Sequence, residues 1–105
     1  MPYIIATSWY PSHKQGEVVK KYIELIPKYP TDDSLAVNVA TPVTTTEKGI
    51  KVMSIWEVKE GKLEAALTRL GNYYYENINI EGYEYSLDIW STLPEATAVA
   101  GIPQQ

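Results

Sequence analysis

Apolar residues recur along this chain with two periods, and the changes between them mark out the elements. "YIIATSWY" (3–10) is β-branched and aromatic, and at its start it is apolar on both parities, as befits a central strand covered on both faces. Val18, Val19, Tyr22, Ile23, Ile26 and Tyr29 then recur at helical spacing, with Glu17, Lys20, Lys21, Glu24 and Lys28 on the other side. Ser12 and Gln15 have the capping-box spacing, which makes Ser12 the expected N-cap. Pro27 removes an amide donor and disfavours helix at Ile26, so the helix ends near there.

"LAVNVATPV" (35–43) reads as a second strand. Pro42 cannot donate to a ladder, so this strand is expected at an edge. "TTTEKG" reads as a turn in which Gly49 is free to take positive φ. "IKVMSIWEV" (50–58) is the return strand. A second helix is expected over 62–77, with Leu63, Ala66, Leu67, Leu70, Tyr74 and Ile78 as its apolar stripe. Within it lies "NYYYENI", three consecutive tyrosines that one stripe cannot bury equally. With Leu63 at zero, an advance of about 100° per residue puts Tyr74 near 20° in the stripe, Tyr73 near 280° on a flank and Tyr75 near 120°, turned outward. "YEYSLDIW" (83–90) closes the pattern: Tyr83, Tyr85, Leu87 and Ile89 alternate with Glu84, Ser86 and Asp88, the signature of a strand with one packed face. "STLPEATAVAG" reads as a short helix capped by Thr92 and Glu95, with Gly101 as its stop and a frayed end beyond.

The order strand, helix, strand, strand, helix, strand predicts an α+β, ferredoxin-like βαββαβ domain: a four-stranded antiparallel sheet with two helices on one face. Right-handed crossovers place the first and third strands centrally. The 105 residues are read as one such domain, with a core over about 3–92 and a tail over 93–105. The sheet's second face has no helix. Residues 3–10 and 52–56 contribute apolar side chains to both faces, so a two-fold dimer with sheets face to face is the expected cover.

Composition narrows the chemistry. There is no cysteine, so disulfides, thiolate metal sites and cysteine nucleophiles are excluded, in keeping with a reducing, cytoplasmic setting. Neither a signal peptide nor a membrane segment is read. Net charge is −4 and the lysines alternate with acids, which argues against nucleic-acid binding. Nine Tyr, three Trp and no Phe give every aromatic ring a polar handle.

Those rings supply the candidate site. Trp9, Trp56 and Trp90 lie near strand ends, and Tyr10, Tyr22 and Tyr74 are placed to reach the same region; with Asn38 they form the expected ligand-binding set of an aromatic pocket. An enzyme built on this chain would use His13, its sole imidazole, or Asp88 as base. Asp88 shares a strand face with Ser86 and Glu84, which Asn38, Ser54 and Ser8 could join if registers allow. Glu84 and Asp88 are about 13 Å apart along a strand, too far to share a proton. No spacing of metal ligands and no phosphate loop is present, and no cofactor is expected.

"YIIATSWYP", the "VNVATPVTTTEKGIKVMSIWEV" hairpin, the "KLEAALTRLGNYYYENI" helix and "YEYSLDIW" together resemble the dimeric α/β-barrel superfamily of ferredoxin-like proteins. The resemblance implies a homodimer, and a ligand held between sheet and helices or inside the barrel. Its members include cofactor-free monooxygenases, isomerases of small ring acids and haem-degrading enzymes. The haem-degrading members carry a histidine on the second helix, where this chain has none. Two functions follow as expectations: a dimeric barrel binding a small, partly apolar ligand, with or without cofactor-free catalysis, or a structural protein whose aromatics form the dimer seam while Tyr75 meets another partner.

Overall fold

The computed structural model describes residues 1–99; the expected stop at Gly101 and the end beyond it lie outside them. The fold is α+β: a five-stranded antiparallel sheet with three α-helices. Strand β1 (Tyr3–Tyr10) runs through its middle, between β4 (Gly49–Val58) and β5 (Glu84–Trp90). The far flank of β4 is shared by β2 (Ala36–Ala40), paired with its C-terminal end, and β3 (Val43–Thr46), paired with its N-terminal end.

Here five strands replace the expected four. The segment read as one strand over 35–43 breaks at Thr41 and Pro42, and the threonines read as a turn are strand. The register already shifts between Asn38 and Ala40, and Pro42 has no amide to offer the ladder. The Pro42 carbonyl still accepts from the Met53 amide at 2.9 Å, and the β-branched Thr44–Thr46 suit the strand that resumes. Only Glu47 and Lys48 remain between the paired Thr46 and Gly49. Gly49 has φ 127°, and a Cβ there would stand 2.2 Å from the Tyr10 carbonyl oxygen, so both conformation and space require glycine.

Ser12 does not cap the first helix. It opens a 3₁₀ turn over Ser12–Lys14, nucleated by Pro11, whose carbonyl accepts from the Lys14 amide at 2.9 Å. Helix α1 (Gln15–Leu25) follows without a side-chain cap and ends two residues before Pro27. Helix α2 (Leu63–Tyr75) is shorter than the expected 62–77, which leaves Ile78 off its stripe and exposed. Helix α3 (Leu93–Val99) has the expected reciprocal cap: the Thr92 amide donates to Glu95 Oε1 at 2.8 Å, and the Glu95 amide donates to Thr92 Oγ1 at 3.3 Å.

Even-numbered residues of β1 and β4 and odd-numbered residues of β5 turn toward the helices. Ile4 and Val58 are fully buried there with Ala36 and Ala66, and Trp56, Leu63, Leu67, Leu70 and Leu87 pack against them. Each fully buried aliphatic side chain of this kind contributes roughly 1.5–3 kcal/mol. The opposite sheet face carries Tyr3, Ile5, Thr7 and Trp9, flanked by Met53 and Ile55 of β4 and by Asp88 and Trp90 of β5. None of these eight residues is buried.

Candidate functional site

Small side chains occupy the middle of the sheet's helix-facing side. Ala6 pairs with Ser54, and Ser8 with Val52, on the helix-facing side. Above them α1 is held loosely: Leu25 is its one buried residue, while Val19, Tyr22, Ile23 and Ile26 of its apolar stripe, read as core from their spacing, are exposed. Beneath the C-terminal end of α1 lies a cavity of about 540 Å³. Ala36, Asn38, Ser54 and Trp56 form its floor, and Tyr22 and Ile26 overhang it from α1. Ala66, Arg69, Leu70, Tyr73 and Tyr74 of α2 make the wall, and Tyr29 to Asp32 with Leu35 close one end.

The end loop is fastened to α2 at two points. Glu76 accepts from the Tyr29 hydroxyl at 3.1 Å and pairs with the Lys28 ammonium, and Arg69 Nη2 donates to the Pro30 carbonyl. The Lys28 and Tyr29 contacts hold the Glu76 carboxyl below its usual range, and Glu76 in turn raises Lys28. Tyrosine rings tie the same elements together. Tyr29 meets Tyr73 edge-on at 5.8 Å, Tyr73 meets Tyr74 edge-on at 5.0 Å, and Tyr74 stacks on Tyr85 at 5.6 Å. Burial pushes the Tyr73 hydroxyl up to about 12, helped by Tyr74 and Tyr22. It raises Tyr74 too, with the Ser54 hydroxyl pulling the other way. Both phenols therefore stay protonated at neutral pH and can donate.

Two further polar groups face different situations. The Asn38 amide is spent on the strand break, donating to the Ala40 and Ile55 carbonyls at 3.5 and 3.4 Å and accepting from Thr41 Oγ1 at 3.2 Å. The Trp56 indole N–H is buried and has no hydrogen-bond partner among the described residues. A buried orphan donor is costly, and with no accessible surface this one is sealed from the open space of the cavity.

Of the seven expected ligand-binding residues, Tyr22, Asn38, Trp56 and Tyr74 line this cavity and Trp9, Tyr10 and Trp90 do not. Trp56 is thus the one indole of the three in its wall. Trp9 and Trp90 have the other strand parity and lie on the opposite face, where Trp9 Nε1 donates to Glu84 Oε2 at 2.9 Å. Tyr10 is buried against Tyr83, with ring centroids 6.1 Å apart. Asp88 is exposed opposite Ile5, and Ser86 is opposite Thr7, on the face away from the cavity. Ser8, Ser54 and Asn38 point to the helix side, so the register separates the polar group that the sequence allowed to gather. His13 is exposed in the 3₁₀ turn. Among the described residues no three His, Asp or Glu gather closely enough to hold a metal ion, and no helix is long and apolar enough to cross a membrane.

Among the cavity residues not read as site candidates from the sequence are Tyr29, Arg69, Leu70 and Tyr73. A signal existed for three of them. On the α2 wheel Arg69, Tyr73, Ala66 and Leu70 fall at about 240°, 280°, 300° and 340°, one continuous flank beside the core stripe.

No protein-family model and no curated protein matches the chain. Among solved structures, a formyltetrahydrofolate deformylase from Pseudomonas putida KT2440 is similar at a TM-score of 0.48 and 7% identity, over 84% of this chain. The chain spans 28% of that enzyme's length, and likeness at this level carries no argument about activity.

Proposed function

We propose that this protein binds a small, partly apolar molecule in the cavity between its sheet and helices. The observation that carries this reading is a space of about 540 Å³, within the range of small-molecule sites, walled by aromatic and aliphatic side chains with a few polar groups among them. His13 and Asp88 have no part in this site, and the reading is one of binding, without a catalytic base. In support of a ferredoxin-like plan, β1 and β4 are central, and β2 and β3 act as two halves of one edge strand. That plan, with Tyr3, Ile5, Met53 and Ile55 unburied on the helix-free face, favours a face-to-face homodimer of the dimeric α/β-barrel type. Absence of cysteine favours the cytoplasm.

The test is a titration of 1-naphthalenemethanol, a neutral apolar probe, followed by protein NMR shifts. Expected is saturable binding with shifts centred on Trp56, Leu70 and Tyr73. Leu70→Trp, which fills the cavity from α2, abolishes binding while the far-ultraviolet circular dichroism stays folded. Full binding by folded Leu70→Trp overturns the reading, as does absence of saturable binding to the unaltered protein by this alcohol and by both its carboxylate and ammonium counterparts.

A further inference from the structure

We infer that the ligand of this cavity is an anion: a planar apolar body carrying a carboxylate or similar oxyanion, held by Arg69. The inference rests on the binding reading above and adds the charge of the ligand to it.

Its basis is an imbalance of donors and acceptors around one space. Arg69 lines the cavity and uses one guanidinium nitrogen on the Pro30 carbonyl. No carboxylate lies within ion-pair distance of it among the described residues, although the chain's other close ion pairs satisfy Lys14, Lys21 and Lys28. A guanidinium has five N–H donors in a fork that matches an oxyanion, so most of this fork is free.

The acceptors nearby are engaged only in part. Asp32 is the one carboxylate in the lining, and its Oδ1 accepts from the Ser34 amide at 3.0 Å and the Ser34 hydroxyl at 2.5 Å, while Oδ2 has no hydrogen-bond partner among the described residues. The two Ser34 bonds, with the Arg69 and Lys62 charges adding to them, hold its carboxyl below the usual range. The Asn38 oxygen is taken by Thr41. Glu76 is taken by Lys28 and Tyr29 behind the end loop. What faces the space is therefore one guanidinium with most of its fork free and one carboxylate with a single oxygen open. A cationic ligand has that one oxygen to pair with and meets the Arg69 charge beside it. A neutral one leaves the guanidinium unmatched in a partly apolar setting, and an anion satisfies it through charge-assisted bonds. The aromatic flank of Tyr73 and Tyr74 accepts the flat apolar remainder.

Three probes with one ring system separate the possibilities: naphthalene-1-carboxylate, 1-naphthalenemethanol and 1-naphthylmethylammonium, titrated against the full chain. The carboxylate is expected to bind about tenfold more tightly than the alcohol, as charge-assisted bonds to a free guanidinium imply, and the ammonium is expected to bind weakest. Arg69→Met keeps the apolar stem and should remove the carboxylate's tenfold advantage over the alcohol, whatever it does to the alcohol's own affinity. Far-ultraviolet circular dichroism shows whether the variant is folded; should it not fold, the order of the three probes on the unaltered protein decides alone. Equal binding of carboxylate and alcohol, or a preference that survives in folded Arg69→Met, overturns the anion inference and leaves the cavity reading standing. Failure of all three probes to bind the unaltered protein overturns the cavity reading, and this inference with it.

Discussion

Tyr74 stacks on Tyr85 with ring centroids 5.6 Å apart and 25° between planes, fastening the last turn of α2 to the edge strand β5. The stack places one face of Tyr74 in the core while the residue also lines the cavity wall. Its two sequence neighbours diverge from it because successive helical residues point about 100° apart. Tyr73 is half-buried on the flank, and Tyr75 is 61% exposed against 6% for Tyr74.

That divergence sets the first prediction. Tyr74→Ala removes a buried ring and its stacking partners and should lower stability by about 3–5 kcal/mol. Tyr75→Ala should change it by less than about 0.5 kcal/mol. Urea unfolding followed by circular dichroism measures both, and comparable losses would contradict the assignment of the three rings.

Gly49 and Gly16 should respond in opposite directions to alanine. At Gly49 the new Cβ meets the Tyr10 carbonyl oxygen and φ is 127°, so the variant must shift backbone and should lose about 2 kcal/mol or more. At Gly16, in the first turn of α1, a Cβ meets nothing within 4 Å. Alanine there should stabilise by about 0.5 kcal/mol. Thermal unfolding of the two variants side by side gives the signs.

The contact of Glu76 with Lys28 and Tyr29 should make the loop at residues 27–35 sensitive to pH. The Glu76 carboxyl is held below its ordinary 4.5, so its contribution is complete above about that pH and is lost as pH falls through the lower folded value. Lys28 is raised above its ordinary 10.5, so its contribution is complete below that pH and is lost as pH rises through the higher folded value. Between those limits the loop should be fastened. After correction for intrinsic exchange rates, hydrogen exchange of the Tyr29, Leu35 and Ala36 amides should accelerate below pH 4.5. Glu76→Gln should show the accelerated exchange at neutral pH and little further change on acidification.

Ile5 and Ile55 are cross-strand partners in the middle of the helix-free face. If two copies meet there, analytical ultracentrifugation should give twice the chain mass of 11.8 kDa. Ile55→Arg should return the single-chain mass without loss of helix or sheet content, because the side chain is not buried within one copy. A single-chain mass for the unaltered protein at micromolar concentration would remove the dimer from the proposal.

The elements were legible where local physics dominates. Pro27 ended a helix because its ring removes an amide, Thr92 and Glu95 formed their reciprocal cap because both partners lie within one turn, and Gly49 took the φ that only glycine takes cheaply. The edge at Pro42 was legible for the same reason, although the resumption of a strand through Thr44–Thr46 depended on the free flank of β4. Ser12 misled because the capping-box spacing says nothing about Pro11, whose carbonyl drew the chain into a 3₁₀ turn first.

By itself, then, the sequence determined the α+β class, the main strands and helices and their order, though not the split of β2 from β3 or the 3₁₀ turn, together with the outward turn of Tyr75 and the lack of any thiol, all of which follow from covalent structure and from periods within single segments. Tertiary structure alone decided which parity of β1 and β4 meets the helices, because both parities are apolar at the start of β1 and only pairing with β5 breaks the tie. That choice sent Trp56 to the cavity and Trp9 and Trp90 to the other face, and it parted Asp88 from Ser54 and Asn38. It also decided that the end of α1 overhangs a space floored by Ala36, Asn38, Ser54 and Trp56. The cavity is a consequence of how two elements distant in sequence fail to fill the space between them, and no local pattern encodes a gap.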